Sequence, residues 1–350
     1  MSDHAVAAGH YVKATIDCRP EGVGEVGGKA VGLGSLLRAG QTVPASFVVT
    51  AAAYRRYVED GADGLPPELA TAVASAYTEL CTQQGAIVPV AVRSSATLED
   101  SVETSFAGQF RTFLGARGAE QVIAEVERCW LSAFDPHVDA YRAERSGGPG
   151  VGDVAVVVQE LVDARSAGVM FTQHPHSGDR SLIVIEAGFG LGEAVVGGEV
   201  VPDLYEVNKV TRQIVRRERG SKPHEYRWRE DGDTVERRPV DEERAAAWSI
   251  SDDEVMALSA MAGALEKSLG RGLDVEWAIG AVHGMRGAES LFALQVRPIT
   301  VNPSRGGRIG TGQQGNVGAP VSRGNSADSE DAIDAILGRL SRHTPGGDPS

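Results

Sequence analysis

Residues 273–280 read LDVEWAIG and residues 291–300 read LFALQVRPIT, and the fold turns on how these two runs pair. Both have the composition of β-strands. Side chains of a strand alternate between faces, so Asp274 and Glu276 share one face while Val275 and Trp277 take the other. Gln295 and Arg297 likewise share a face, opposite Leu294 and Val296. The segment 280–290 is long enough for a hairpin connection and too polar for a strand. Paired as a hairpin, the two runs set two carboxylates, an amide oxygen and a guanidinium on one surface. Such a set suits Mg²⁺, which takes oxygen ligands and is commonly held by one or two carboxylates plus substrate phosphates. An arginine beside it grips phosphate through two parallel hydrogen bonds. The plainer alternative for the same residues is an exposed hairpin face with solvated charges.

Composition sets the frame. A chain of 350 residues is long enough for two lobes with their own cores. Its 42% hydrophobic and 23% charged residues are ordinary for a globular protein. The formal net charge of -14, with Lys and Arg dispersed, argues against a nucleic-acid partner. It also makes a local cationic pocket a place for an anionic ligand. Cys18, Cys81 and Cys129 form no CxxC pair, so neither a disulfide framework nor a zinc site is expected, and a reducing cytoplasm fits. The start, MSDHAVAAGHYVK, lacks the basic and apolar regions of a signal peptide, and no apolar run is long enough to cross a membrane. No internal repeat is seen.

Ahead of the hairpin, YVKATID (11–17) reads as a short strand and EGVGEVGGKAVGLGSLLRAG (21–40) as a glycine-rich turn becoming helical near Ala30. Gly27 and Gly28 allow a close bend, and Lys29 sits where the helix begins, so amides and a lysine point at an anion. This is not a Walker A loop, since Val23 and Ala30 stand where Gly and Ser or Thr are required. VPASFVVT (43–50) reads as a strand, with helices expected over 51–59 and 67–84. VPVAVR (88–93) is an apolar strand ending on Arg93, followed by the polar run SSATLEDSVETSFAGQF (94–110). An arginine closing a buried strand before a hydroxyl-rich loop that contains Gly108 has the parts of a phosphate clamp, and such a loop can close over its ligand. The alternative is a surface loop with Arg93 paired to Glu99, Asp100 or Glu103.

Next come a strand over 109–115 and a helix over 119–145, with Val122, Val126, Trp130 and Ala133 on its core face. DVAVVVQELV (153–162) is apolar up to Gln159 and Glu160, a polar pair able to bond a base edge. Gly188, Gly190, Gly192 and Glu193 form a turn that lacks the third glycine of a dinucleotide fingerprint. His174 and His176 read as loop surface, since a lone histidine pair seldom makes a metal site. The charged segment 212–240 reads as an exposed ribbon, and Ser251 to Glu254 as a capping box opening a helix to Leu269. After Pro303 the composition turns to Gly, Ser, Arg and Asn, a linker, before an apolar helix face at Ile333, Ile336, Leu337 and Leu340.

Seven of these motifs, in order over about residues 12–302, resemble the ATP-binding domain shared by phosphoenolpyruvate synthase, pyruvate phosphate dikinase and rifampicin phosphotransferase. They are GGKAVGLGSLLRAG, VPASFVVT, VAVRSSATLEDSVETSFAGQFRTFL, VVVQELV, AGVMFTQHP, GLGEAVVGGEVVPDLYEV and DVEWA with LQVRPIT. The resemblance implies an α+β, ATP-grasp-like fold of two lobes with ATP between them. It divides residues 1–302 into an N-terminal lobe (1–160) and a C-terminal lobe with the metal-binding hairpin (161–302), and the composition beyond adds a linker with a helix expected to dock (303–350). It implies that Lys29, Arg93 and Arg297 are the phosphate-binding, catalytic cations. Glu276 and Gln295 are implied as Mg²⁺ ligands, with Asp274 in support. Gln159, Glu160, Leu161 and Val162 are implied to contact adenine, and the loop reaching Gly108 and Gln109 to cover the phosphates.

The family passes the β-phosphoryl group of ATP to a histidine on a swivelling domain, in a Thr-Ser-His-Ala-Ala-like run. None of the eight histidines here has that context. Gly197 stands where a serine is expected, and His174 where an acidic residue is usual. The resulting expectation is the ATP-binding subunit of a split phosphotransferase, a cytoplasmic enzyme using ATP and Mg²⁺. Its partner would be a separate histidine-carrier protein, and a small molecule the final acceptor. The alternatives are a stand-alone small-molecule kinase and a non-catalytic nucleotide-binding subunit.

Overall fold

The computed structural model describes residues 10–61, 64–96, 112–132, 153–229, 234–270, 272–282 and 289–299. Expectations for the loop 97–111, for the helix past 132 and for the tail after 299 lie outside these residues. The first part of the chain runs β1 (Val12–Ala14), α1 (Val23–Arg38), β2 (Ser46–Val49), α2 (Ala51–Glu59), α3 (Pro67–Gln84), β3 (Val90–Ala96), β4 (Thr112–Ala116), α4 (Ala119–Leu131) and β5 (Val154–Glu160). The second runs β6 (Asp163–Phe171), β7 (Leu182–Phe189), α5 (Glu193–Val196), β8 (Asp203–Asn208), β9 (Gln213–Glu218), β10 (His224–Arg229), β11 (Thr234–Pro239), α6 (Glu242–Ala245), α7 (Asp252–Leu269), β12 (Leu273–Ala281) and β13 (Ser290–Pro298).

One antiparallel sheet has the order β1-β2-β5-β3-β4 and a second the order β13-β12-β6-β7-β8-β9. Helices packed on two antiparallel sheets make this the α+β class expected. β5 is apolar along nearly its whole length because both its faces are covered. Val154, Val156 and Val158 pack with Tyr57, Val73, Val126 and Trp130 of the α2–α4 side. Ala155 and Val157 pack with Val26, Ala30, Leu33 and Leu36 of α1. That same core continues through Met170, Ile185, Val275 and Trp277 of the second sheet to Val255, Leu258, Ala262 and Leu265 of α7. The hydrophobic core therefore does not divide at residue 160. The capping box at the start of α7 is formed: Ser251 Oγ accepts from the Glu254 amide at 3.3 Å, and Glu254 Oε2 accepts from the Ser251 amide at 2.7 Å.

Three local readings are corrected. The first strand stops at Ala14 and a tight turn covers Thr15–Asp17. The turn is imposed by α1, since a side chain at Gly34 would lie 2.3 Å from the Cys18 carbonyl oxygen. Ser94 and Ser95 are buried residues of β3 and not part of a surface loop. The segment 212–240 is not simply an exposed ribbon. β10 and β11 pair with each other, and Trp228 packs so tightly on Gly115 that any Cβ there would sit 2.2 Å from its ring. Tyr226, Trp228 and Val235 pack against Leu161, Val162 and Phe292.

Candidate functional site

The two sheets face each other across an open cleft. β3 turns Val90 and Val92 into the helical core, so alternation turns Ala91, Arg93 and Ser95 the other way. β5 does the same, burying Val158 and presenting Gln159 beside Ala91. On the opposite wall Ala167, Glu276 and Ala278 share a face of β6 and β12. Leu191, Gly192, Glu193 and Val196 close a third side. Gln159, Glu160, Leu161 and Val162 all line this cleft, together with Arg93 and Glu276. By alternation the Glu160 side chain leaves on the Val158 face, so it is the backbone of Glu160 that meets the cleft. Gln159 lies two residues along the strands from the Arg93 row, about 7 Å.

Arg93 reaches across the cleft. Its Nη2 donates to Glu276 Oε2 at 3.0 Å and to Gln295 Oε1 at 2.9 Å. Gln295 Nε2 donates in turn to Glu276 Oε1 at 3.2 Å. These three residues lie up to 202 positions apart in the chain. Among the described residues, Arg93 Nε and Gln159 Nε2 beside the cleft are buried without a hydrogen-bond partner. Buried donors left so are rare and expensive unless something else accepts from them. One row along the hairpin, Arg297 Nε donates to Asp274 Oδ2 at 2.7 Å, so Asp274, Glu276, Gln295 and Arg297 do share one surface. Leu294 departs from strict alternation. Glu276 pairs with Gln295 and Trp277 with Ala293, which leaves Leu294 as the extra residue of a bulge. It therefore lines the cleft, and not the face of Val296 where alternation would put it.

The carboxylates of this surface are short of cations. Burial raises the Asp274 carboxyl above its ordinary range, with Arg297 opposing and Glu276 adding to the rise. Burial also raises Glu193, opposed by Arg93 and reinforced by Glu276 and Glu199. Glu186, in the same sheet row as Glu276, is raised by burial and by Asp274 and relieved by His176. Glu193 and Thr112 line the cleft without having been singled out from the sequence. For Glu193 the signal was the Gly190-x-Gly192-Glu193 turn. Gly190 has φ 71° and approaches the ribbon so closely that a Cβ would lie 2.3 Å from the Tyr226 carbonyl oxygen.

Lys29 follows a kink. Gly27 has φ 76° and ψ 169°, so the regular helix starts at Gly28 and Lys29 stands in its first turn. Ser95 Oγ clamps the kink, donating to the Val26 carbonyl at 2.9 Å and accepting from the Ala30 amide at 3.3 Å. A Cβ at Gly27 would sit 2.1 Å from the Ser95 carbonyl oxygen. Lys29 is thus tied to β3 two residues beyond Arg93, although it does not itself line the cleft. Gly108 and Gln109 lie outside the described residues. His174 holds its own turn together, because its Nδ1 accepts from the amides of His176 at 3.3 Å and Ser177 at 3.1 Å.

The donor set fits Mg²⁺. The side-chain oxygens of Glu276 and Gln295 converge on one point, marked by Arg93 Nη2. Among the described residues no group of three or more His, Cys, Asp or Glu forms a closed metal cage. Two protein oxygens completed by phosphate oxygens is the usual magnesium pattern.

Residues 62–314 match the family model of the pyruvate phosphate dikinase AMP/ATP-binding domain. The chain belongs to this family. The glycine-rich segment carrying Lys29 precedes the matched residues. A probable phosphoenolpyruvate synthase from Methanothermobacter thermautotrophicus is 39% identical, the alignment covering 83% of this chain and 46% of that protein. A rifampicin phosphotransferase from a Streptomyces species is 33% identical, covering 84% of this chain and 36% of that protein. The chain thus spans less than half the length of these curated relatives. Among solved structures, D-alanine–D-alanine ligase from Bacillus anthracis is similar at 10% identity with a TM-score of 0.34, over 77% of this chain and 56% of that one.

Proposed function

We propose that this chain is the ATP-binding subunit of a split phosphotransferase. It uses Mg-ATP and water to place the β-phosphoryl group on a histidine of a partner protein, AMP leaves, the γ-phosphoryl group is released to water as inorganic phosphate, and the histidine-bound phosphoryl group then passes to a small-molecule acceptor. The observation that carries the reading is Arg93 of one sheet bonded to Glu276 and Gln295 of the other, beside the Gln159–Val162 wall. In this reading Gln159 to Val162 hold the base, while Lys29, Arg93 and Arg297 hold phosphate oxygens, with Gly108 and Gln109 over them. Glu276 and Gln295 hold Mg²⁺, with Asp274 behind. The ion, when bound, offsets negative charge on the transferring phosphoryl group. The protein's own contribution is alignment, since attack at phosphorus needs a nucleophile in line with the leaving group.

The nucleophile is assigned to a partner on two supports. None of the eight histidines lies in a carrier-type run. Among the described residues no histidine lines the cleft. The relatives' names point to different acceptors, phosphoenolpyruvate synthesis in one and rifampicin in the other, so the acceptor is left to the partner. Cys18, Cys81 and Cys129 are free thiols, which suits a reducing cytoplasm. The test is chromatography of nucleotide products, with and without a candidate carrier protein, in the wild type and in His174→Ala/His176→Ala. The expected product is AMP, formed only with the carrier. ADP as the main product would favour direct transfer to a small acceptor. AMP made by this chain alone and lost in the double variant would put the carrier among its own histidines.

A further inference from the structure

We propose that Arg93 and the metal are alternative occupants of the Glu276–Gln295 oxygen pair, so that metal and nucleotide bind well together and each binds poorly alone. The inference rests on the Mg-ATP reading of this site and concerns how the site is loaded. Arg93 Nη2 stands 3.0 Å from Glu276 Oε2 and 2.9 Å from Gln295 Oε1. Magnesium lies about 2.0–2.1 Å from its oxygens. An ion held by these two oxygens would therefore enter the space of the guanidinium nitrogen, and the two are like charges. The arginine must move off before the ion can settle.

Within the protein the arginine has little reason to move. Glu276 has both oxygens engaged, one by Arg93 and one by Gln295 Nε2 at 3.2 Å. Yet Arg93 is not fully satisfied, since its Nε is buried without an acceptor. A phosphate group offers several acceptor oxygens to the planar fork and supplies what the protein withholds. Nucleotide without metal faces the converse problem. The charged side chains facing the cleft, among the described residues, are Arg93, Glu193 and Glu276, and the single cation is already paired. The metal then neutralises Glu276 while the phosphates take Arg93, and each ligand removes the other's competitor.

Two measurements test this, one without nucleotide and one without metal. In the first, free Mn²⁺ is titrated by electron paramagnetic resonance in the absence of nucleotide. Arg93→Met should bind Mn²⁺ at least about tenfold more tightly than wild type, within the usual span of a coupling of this kind. The gain should vanish in Arg93→Met/Glu276→Gln. In the second, ATP binding is measured by calorimetry in excess EDTA. Glu276→Gln, which releases the arginine from its ion pair, should bind metal-free ATP at least about fivefold more tightly than wild type. Unchanged Mn²⁺ affinity in folded Arg93→Met overturns the proposal, as does metal-free ATP affinity that is unchanged or weaker in Glu276→Gln. If Arg93→Met loses its circular dichroism spectrum, the Glu276→Gln arm decides alone. Failure of the ATP reading itself has another signature: wild type would bind no Mg-ATP, while the Mn²⁺ gain in Arg93→Met would persist.

Discussion

Glu225 and Glu193 are carboxylates on segments that touch each other, the first buried and the second still open to solvent, and they meet opposite surroundings. Glu225 is 1% exposed and accepts from Arg244 at 2.7 and 2.9 Å, from Arg238 at 3.0 Å and from Arg227 at 3.2 Å. Burial alone would raise its carboxyl, but the three guanidiniums overcome that and hold it below the ordinary range. Asp203 nearby is provided for in the same way. It pairs with buried Lys222 at 2.5 Å and accepts from the Gly220 amide and from the Ser249 amide and hydroxyl. At the cleft and on the sheet face beside it, desolvation raises Glu193, Asp274 and Glu186, and their cationic neighbours do not compensate. The same chain thus saturates the buried carboxylates that hold the ribbon in place and leaves the more open ones near the cleft short of cations. A surface kept short of positive charge is suited to receive it from outside, as a metal ion.

The contrast can be broken most severely at Lys222. Lys222→Met leaves Asp203 charged and unpaired in the interior, and should cost about 3–5 kcal/mol of stability by urea denaturation. Arg297→Ala removes the partner of Asp274, but that arginine is 61% exposed and the loss should stay within about 1 kcal/mol. Equal stabilities in the two variants would erase the distinction between a closed cluster and an open one. Next, Glu276→Gln should leave the unliganded protein within about 1 kcal/mol of wild type while carrier-dependent turnover falls on the order of 10²-fold or more. A fully active variant would remove Glu276 from the metal site. Smaller still, Lys29→Ala and Arg93→Ala should each weaken Mg-ATP binding by about 1.5–3 kcal/mol, the worth of one charge-assisted contact. Calorimetric titration decides it, and unchanged affinity in both would dismiss these cations as phosphate ligands.

The smallest effect is a pair of opposite pH dependences. Glu225, lowered, contributes stability that is present above 4.5 and is lost as pH falls through its folded value. Glu193, raised, does the reverse: the native state binds its proton more tightly, so stability declines as pH rises above 4.5. Glu193→Gln should flatten that decline, a small effect because solvent screens this side chain, and Glu225→Gln should flatten the acid-side loss. Denaturation curves collected from about pH 3 to 7 check both signs, and identical profiles in the two variants would contradict them.

Some of these features were legible in the chain and others were not, and the difference is physical. The hairpin face was readable because alternation is a local rule: Asp274 and Glu276, and Gln295 and Arg297, need only the strand period to share a side. Leu294 was not, because a bulge is set by how two strands register and not by either strand alone. Ser95 read as loop and is a buried clamp, since its partners Val26 and Ala30 lie 69 and 65 residues away. The charged segment 212–240 read as exposed because its arginines are surface residues by type. What holds the segment down is one buried acceptor, Glu225, on which Arg227 and Arg238 of the segment converge together with Arg244 just beyond it.

By itself the sequence determined what local periodicity and local chemistry decide. These are the strands and most helices, the capping box at Ser251, the close bend at Gly27 and the order of motifs that marks the family. Tertiary structure alone decided the pairings over long distances. It put Arg93 on Glu276 and Gln295, turned His174 into a cap for its own turn and gave Glu225 a full set of cations but Glu193 too few. The physical reason is that charge is judged by its neighbours and its access to water. Both are properties of the folded surface, which brings together residues the chain keeps up to 202 positions apart.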